Sequence, residues 1–108
     1  MPAVCLDGRK ITSWKAFHDE CRMAFGFPDF YGGNMDAWID CLSGLRDDDG
    51  MSSFVLGRDD VLQIEVSHSD FLREKTPGIL AALEDCVAEV NERYAEHGEK
   101  PALALVLR

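Results

Sequence analysis

Asp36 and Asp40 stand one helical turn apart, four residues from each other, and follow Asn34, a residue type that caps helices. At about 100° per residue from Asp36, Asp40 falls near 40° and Ser43 near −20°, so the three share a face. Met35, Trp38, Cys41, Leu42 and Leu45 fall between about 140° and 260° and make a core-facing stripe. Ile39, near 300°, stands on the shoulder beside the acidic face. Carboxylates so spaced suit three uses: a solvated face, a divalent-cation site if further oxygen ligands join them, or recognition of a cationic partner. Asp36 belongs to the first turn, where a carboxylate complements the helix dipole. Asp40 has no such local reason. It is mid-helix, where aspartate is a poor former, and one turn from a like charge. A residue that breaks local preference without visible compensation points to function.

Other chemistry has weaker support. The chain contains no G-x-G-x-x-G, P-loop, G-x-S-x-G or H-E-x-x-H pattern. His18, His68 and His97 fall on three different elements and read as surface residues. Cys5, Cys21, Cys41 and Cys86 are scattered, with no C-x-x-C and no zinc-like spacing to histidine. They read as buried thiols, and a Cys41–Cys86 disulfide, though feasible, is not required. The chain is therefore read as no enzyme, with no cofactor and no metal; a metal-dependent enzyme using Asp36 and Asp40 is the outlying alternative.

The elements that must hold Asp36 and Asp40 alternate along the chain. Ala3–Leu6 reads as a strand closed by the turn pair Asp7-Gly8. Ser13 caps a helix to about Phe25, with Trp14, Phe17, Cys21 and Ala24 on its apolar side and Gly26 as its stop. Asn34 opens the acidic helix, and Gly44 ends it after eleven residues. Residues 46–60 read as a loop with a short extended piece at Phe54–Leu56. Val61–Val66 alternates as a strand with one exposed face. Ser67 or Ser69 caps a brief helix over Asp70–Lys75. Thr76-Pro77 then starts a long helix striped by Ile79, Leu80, Leu83, Val87, Val90 and Tyr94 and ended by Gly98. Ala102–Leu107, apolar throughout, suits a strand covered on both faces. The order β-α-α-β-α-α-β predicts an α/β fold: a small three-stranded parallel sheet with about four helices, as a single domain over residues 1–108.

Composition narrows the partners. In 108 residues, 46% are hydrophobic and 29% charged, an ordinary globular balance. Eleven Lys and Arg against twenty Asp and Glu give a net charge of −9. Residues 29–60 carry eight acidic groups against two basic, a net −6, so the acidic helix lies at the electrostatic pole. Such a surface disfavours direct nucleic-acid binding and anionic membranes. The longest apolar run, Ala102–Leu107, is far short of the ~20 residues of a membrane span. Met1–Lys10 has no apolar signal core, so a cytoplasmic location is expected.

The run Pro28-Asp29-Phe30-Tyr31-Gly32-Gly33-Asn34-Met35-Asp36-Ala37-Trp38-Ile39-Asp40-Cys41-Leu42-Ser43-Gly44 closely resembles the barstar family of ribonuclease inhibitors. That resemblance implies the same parallel sheet and inhibition by mimicry, with the second helix and its preceding loop laid across a basic ribonuclease active site. Asp40 would take the place of a substrate phosphate and Asp36 would add a second acidic contact. Phe30 would pack on the enzyme's catalytic histidine. The partner-facing set is Phe30, Tyr31, Gly32, Asn34, Asp36, Ile39, Asp40, Ser43 and Gly44, with Phe30 and Ile39 excluding water around the charges. The partner would be a basic ribonuclease or ribonuclease-like toxin, making this an immunity-type protein; the alternative is an acidic interaction module for a basic partner that is no nuclease. This chain departs from the family in several places. A well-known member carries aromatics where Ile39 and Leu45 stand here. The family's acidic contact from the last long helix falls at Glu92 or Arg93, and the 46–60 segment is longer. An Asp40 carboxylate turned inward, or locked onto a cation of its own chain, would overturn the reading.

Overall fold

Alternating apolar residues assemble the sheet. A computed structural model describes residues 2–29, 31–46 and 52–108. Within it β1 (Ala3–Asp7), β2 (Leu62–Ser67) and β3 (Leu103–Leu107) form one parallel sheet in the order β1-β2-β3. Val4 pairs with Ile64 and Leu6 with Val66, while Leu62, Ile64 and Val66 pair with Leu103, Leu105 and Leu107. One face of the sheet therefore carries Val4, Leu6, Leu62, Ile64, Val66 and Leu103, all buried, with Leu105 and Leu107 half-buried where β3 forms the sheet edge. The other carries Ala3, Cys5, Gln63, Glu65, Ala104 and Val106, which are half-buried or exposed. This corrects the expectation that β3 is covered on both sides: small and polar neighbours leave the second face partly open. Cys5 lies on that open face, so the buried-thiol reading holds for Cys21, Cys41 and Cys86 but not for Cys5; none of the four is joined in a disulfide.

The helices are α1 (Trp14–Phe25), α2 (Met35–Leu42), α3 (Ser69–Lys75) and α4 (Pro77–Glu96), so the element order is the one read from the sequence. Ser13 accepts the Ala16 N–H at the start of α1, and Gly26, at φ 68°, closes it in the left-handed conformation that glycine adopts without a Cβ penalty. A short 3-10 turn, Gly8–Lys10, follows β1; a Cβ at Gly8 would stand 2.7 Å from the Ser67 and His68 carbonyl oxygens, so only glycine fits there. His68, at φ 52°, caps α3 with no side-chain bond, and Ser69 is instead the first helical residue, its Oγ donating to the Arg108 carbonyl at 2.8 Å. No strand forms at Phe54–Leu56; the Leu56 N–H donates to Leu45 O and the side chain is buried.

Trp38, Phe17 and Phe25 are the largest wholly buried side chains, with Phe25 edge-on to Trp38 at 6.0 Å. Truncating such an aromatic costs about 3–5 kcal/mol. Two polar staples fix the periphery. Asn91 of α4 donates to Leu103 O and accepts from the Ala102 and Leu103 N–H groups, each at 3.0 Å, which sets the start of β3. Arg46, only 4% exposed at its side chain, lies over the Tyr94 ring and donates to the carbonyls of Asp60, Lys100 and Pro101. No described helix is long and apolar enough to cross a membrane.

Candidate functional site

The acidic face depends on how α2 begins and ends. Asn34, in extended conformation, accepts the Ala37 N–H at 2.8 Å through Oδ1 and opens the helix one residue before Asp36. The helix has eight residues rather than the expected eleven. Tyr94, from α4, intervenes at its end. The Tyr94 hydroxyl donates to Leu42 O at 3.3 Å and accepts the Leu45 N–H at 3.1 Å, supplying partners that another helical turn would otherwise provide. Ser43 adds a bond from its Oγ to Ile39 O at 2.6 Å. The result is a short helix fixed to α4.

Trp38, Cys41, Leu42 and Leu45 are buried as the helical angles require. Asp36 and Asp40 are exposed on the opposite side. Asp36 lies close enough to Cys86 of α4 that its negative charge, after burial and Asp85, helps to raise the Cys86 thiol pKa. Asp40 projects outward with its side chain 68% exposed, and one oxygen, Oδ1, accepts from Arg93 Nη1 of α4 at 3.1 Å. The same nitrogen donates to Ser43 Oγ at 3.3 Å. Asp40 is thus turned outward but also paired with a cation of its own chain, the condition named above as overturning the reading if that cation locks it in place. Magnitude decides its weight: an ion pair this exposed contributes about 0–1 kcal/mol and leaves Asp40 open to stronger competitors.

Two of the expected contacts lie elsewhere than on the open surface. Ile39 is 9% exposed and belongs to the core cluster, and Gly44 is also buried. Packing of α2 on α4 widens the buried arc beyond the stripe that helical angles define, and Ile39 on the shoulder falls within it. Gly32 and Asn34 are exposed, and Ser43 is half-buried beside Asp40. Phe30 and the run Asp47–Asp49 lie outside the described residues.

Tyr31 is half-buried and its hydroxyl meets His18 Nδ1 at 2.6 Å. His18, read from sequence as a surface residue, is instead 7% exposed, and burial lowers its pKa below the ordinary histidine value. Burial likewise pushes the Tyr31 hydroxyl pKa up. Both groups are therefore neutral near pH 7 and joined by a neutral hydrogen bond. Tyr31 also packs on Phe27, with centroids 4.7 Å apart, and Trp14 stacks on His18 at 6.3 Å. This aromatic series holds the loop that precedes α2. Trp14 is 47% exposed although it was placed in the apolar stripe of α1, and it lines a shallow groove with His18, Gly33, Asn34 and Met35. The signal for His18 was its place on α1 between Trp14 and Phe25; no sequence feature joined it to Tyr31.

Among the described residues, no group of three or more His, Cys, Asp or Glu side chains is placed to hold a metal ion. What α2 offers is two outward carboxylates, a serine hydroxyl and one neighbouring guanidinium, a surface fitted to charge-assisted hydrogen bonds with another molecule.

Comparison with known proteins gives this surface a family context. A segment of 47 residues, 44% of this chain, is 40% identical to a Bacillus subtilis (strain 168) protein named "Putative ribonuclease inhibitor YrdF", and it spans 52% of that relative, about half its length. The family model described as Barstar (barnase inhibitor) matches residues 1–106. With its parallel sheet, its helix order and a match over nearly its whole length, the chain belongs to the barstar family of ribonuclease inhibitors.

Proposed function

We propose that this protein inhibits a basic ribonuclease by inserting the outer face of α2, with the Tyr31–Asn34 loop beside it, into the enzyme's phosphate-holding site. The observation that carries this reading is Asp40: an outward carboxylate in the middle of a short, braced helix, in a chain of an inhibitor family. A nuclease must be cationic where it holds RNA, so the acidic pole at residues 29–60 attracts and orients it during encounter. On docking, the enzyme's cations replace Arg93 at Asp40, and Asp36 supplies a second charge one turn away. A well-placed, water-excluded pair of this kind is far stronger than the exposed pair it displaces. The braced α2 requires little ordering on binding, which favours affinity. The protein itself catalyses nothing in this scheme and uses no cofactor.

The test is capture and assay. Immobilised protein is exposed to basic ribonucleases and ribonuclease-like toxins of the source organism, and bound enzyme is scored for RNA cleavage in the presence and absence of the inhibitor. Stoichiometric loss of cleavage is expected. Capture of a basic protein without nuclease activity would favour the interaction-module alternative instead.

A further inference from the structure

We propose that the groove between the starts of α1 and α2 is an apolar anchor site, which takes one uncharged apolar side chain from the rim of the ribonuclease cleft. The inference rests on the inhibitor reading above and adds a surface on α1 to it. Trp14 opens α1 and Met35 opens α2, and the two line the groove with His18, Gly33 and Asn34. Its volume is about 320 Å³, ample for a single side chain. Among the described residues Trp14 is one of four large apolar side chains left exposed, and it alone of the four lines this groove. The platform is held in place before binding. The indole stacks on the His18 ring at 6.3 Å and meets Phe17 edge-on at 6.2 Å, and His18 Nδ1 lies 2.6 Å from the Tyr31 hydroxyl. A pocket ordered in advance loses little entropy when it is filled. Gly33 stands at φ 66°, and a Cβ there would meet nothing within 4 Å, so the space beside its backbone is open.

The charges around the groove decide the chemistry of its occupant. His18 is neutral near pH 7, its pKa lowered by burial. Lys15, next to Trp14 along the chain, is paired with Asp19 at 2.7 Å. The two helix starts add the partial positive charge of their first N–H groups, which disfavours a cationic tip. An apolar side chain meets no such penalty and gains by burial against indole and thioether. Continuity decides who brings it. Gly33 and Asn34 wall the groove and belong to the loop that enters the cleft, so an enzyme seated on α2 and that loop brings its rim to Trp14. The two surfaces then divide the work: the α2 face meets the cations of the cleft, and the groove selects among basic partners by one uncharged side chain.

The experiment measures inhibition constants of wild type, Trp14→Ala, Trp14→Leu, Trp14→Phe and Asp40→Ala against the basic ribonuclease captured as above, at 50 mM and 500 mM salt. Trp14→Ala should weaken inhibition at least about tenfold, through faster dissociation. The factor should be the same at both salt concentrations, because salt screens charges and not apolar contact. Trp14→Leu and Trp14→Phe keep apolar area and should each recover most of the loss. Fluorine NMR of protein labelled with 5-fluorotryptophan reads the contact directly. The Trp14 resonance, assigned by its absence in Trp14→Phe, should shift when the complex forms. Trp14→Phe retaining inhibition while Trp14→Leu falls with Trp14→Ala would assign the groove to a cation and overturn the inference. A Trp14→Ala loss that disappears at 500 mM salt, unchanged inhibition by Trp14→Ala, or an unmoved fluorine resonance also overturns it. If Asp40→Ala weakens inhibition where Trp14→Ala does not, the inhibitor reading survives alone. Inhibition of no basic ribonuclease by wild type overturns both. Matching circular dichroism and urea midpoints establish that the differences belong to the interface; should Trp14→Ala unfold, the fluorine shift of the wild-type sequence decides.

Discussion

Asp40 sits beside a like charge and makes one exposed ion pair, a combination with little effect on the fold in either direction. Asp40→Ala should therefore shift unfolding free energy by no more than about 0.5 kcal/mol, measured from urea denaturation. His18 should behave oppositely, because it is buried and its folded-state pKa lies below the unfolded value. The unfolded chain then binds more protons as pH falls below about 6.5. Stability is complete above that pH and declines as pH drops towards the lower folded value. The urea midpoint should fall between pH 7.5 and 5.5, and His18→Gln should flatten that dependence; an equal decline in the variant would remove His18 as its source. Asp36 and Asp40 were legible in the sequence because helical angle alone places them opposite Trp38 and Leu42. The His18–Tyr31 bond was not, since two residues thirteen positions apart on different elements show no common periodicity.

Helix α2 shows where local signals stop. Its start was legible, because the Asn34 cap is chemistry between residues three apart. Its end was displaced from Gly44 to Leu42 by Tyr94, which lies 52 residues along the chain from Leu42 and shows no trace in the local pattern. Tyr94→Phe keeps the ring over Arg46 and removes the hydroxyl that serves Leu42 O and Leu45 N–H. The predicted cost is about 1–3 kcal/mol, the scale for leaving buried polar groups without partners, with faster amide exchange at Leu45. An unchanged exchange rate would show that α2 is braced by packing alone. Asn34→Ala should cost about 1 kcal/mol through loss of the N-cap, also read by urea denaturation. The open face of the sheet has a similar lesson: the apolar run Ala102–Leu107 gave no hint that Ala104 and Val106 would stay partly uncovered, because small side chains suit either setting.

At the scale of the whole molecule, the proposed function predicts that the net charge of −9 and its concentration at residues 29–60 govern encounter more than the final complex. Association with a basic ribonuclease should slow by roughly tenfold between 50 mM and 500 mM salt, while dissociation changes much less; stopped-flow kinetics separate the two. A rate insensitive to salt would remove the electrostatic pole from the account. The parallel sheet and helix order were legible from alternation and caps, whereas the juxtaposition of α2 and α4 that puts Arg93 against Asp40 required the fold. The most direct test of the central claim is a titration of RNA cleavage by the captured ribonuclease with wild type and Asp40→Ala. The account predicts an inhibition constant at least about thirtyfold weaker for the variant, the scale of an interface hot spot. Equal inhibition by the two proteins would contradict it.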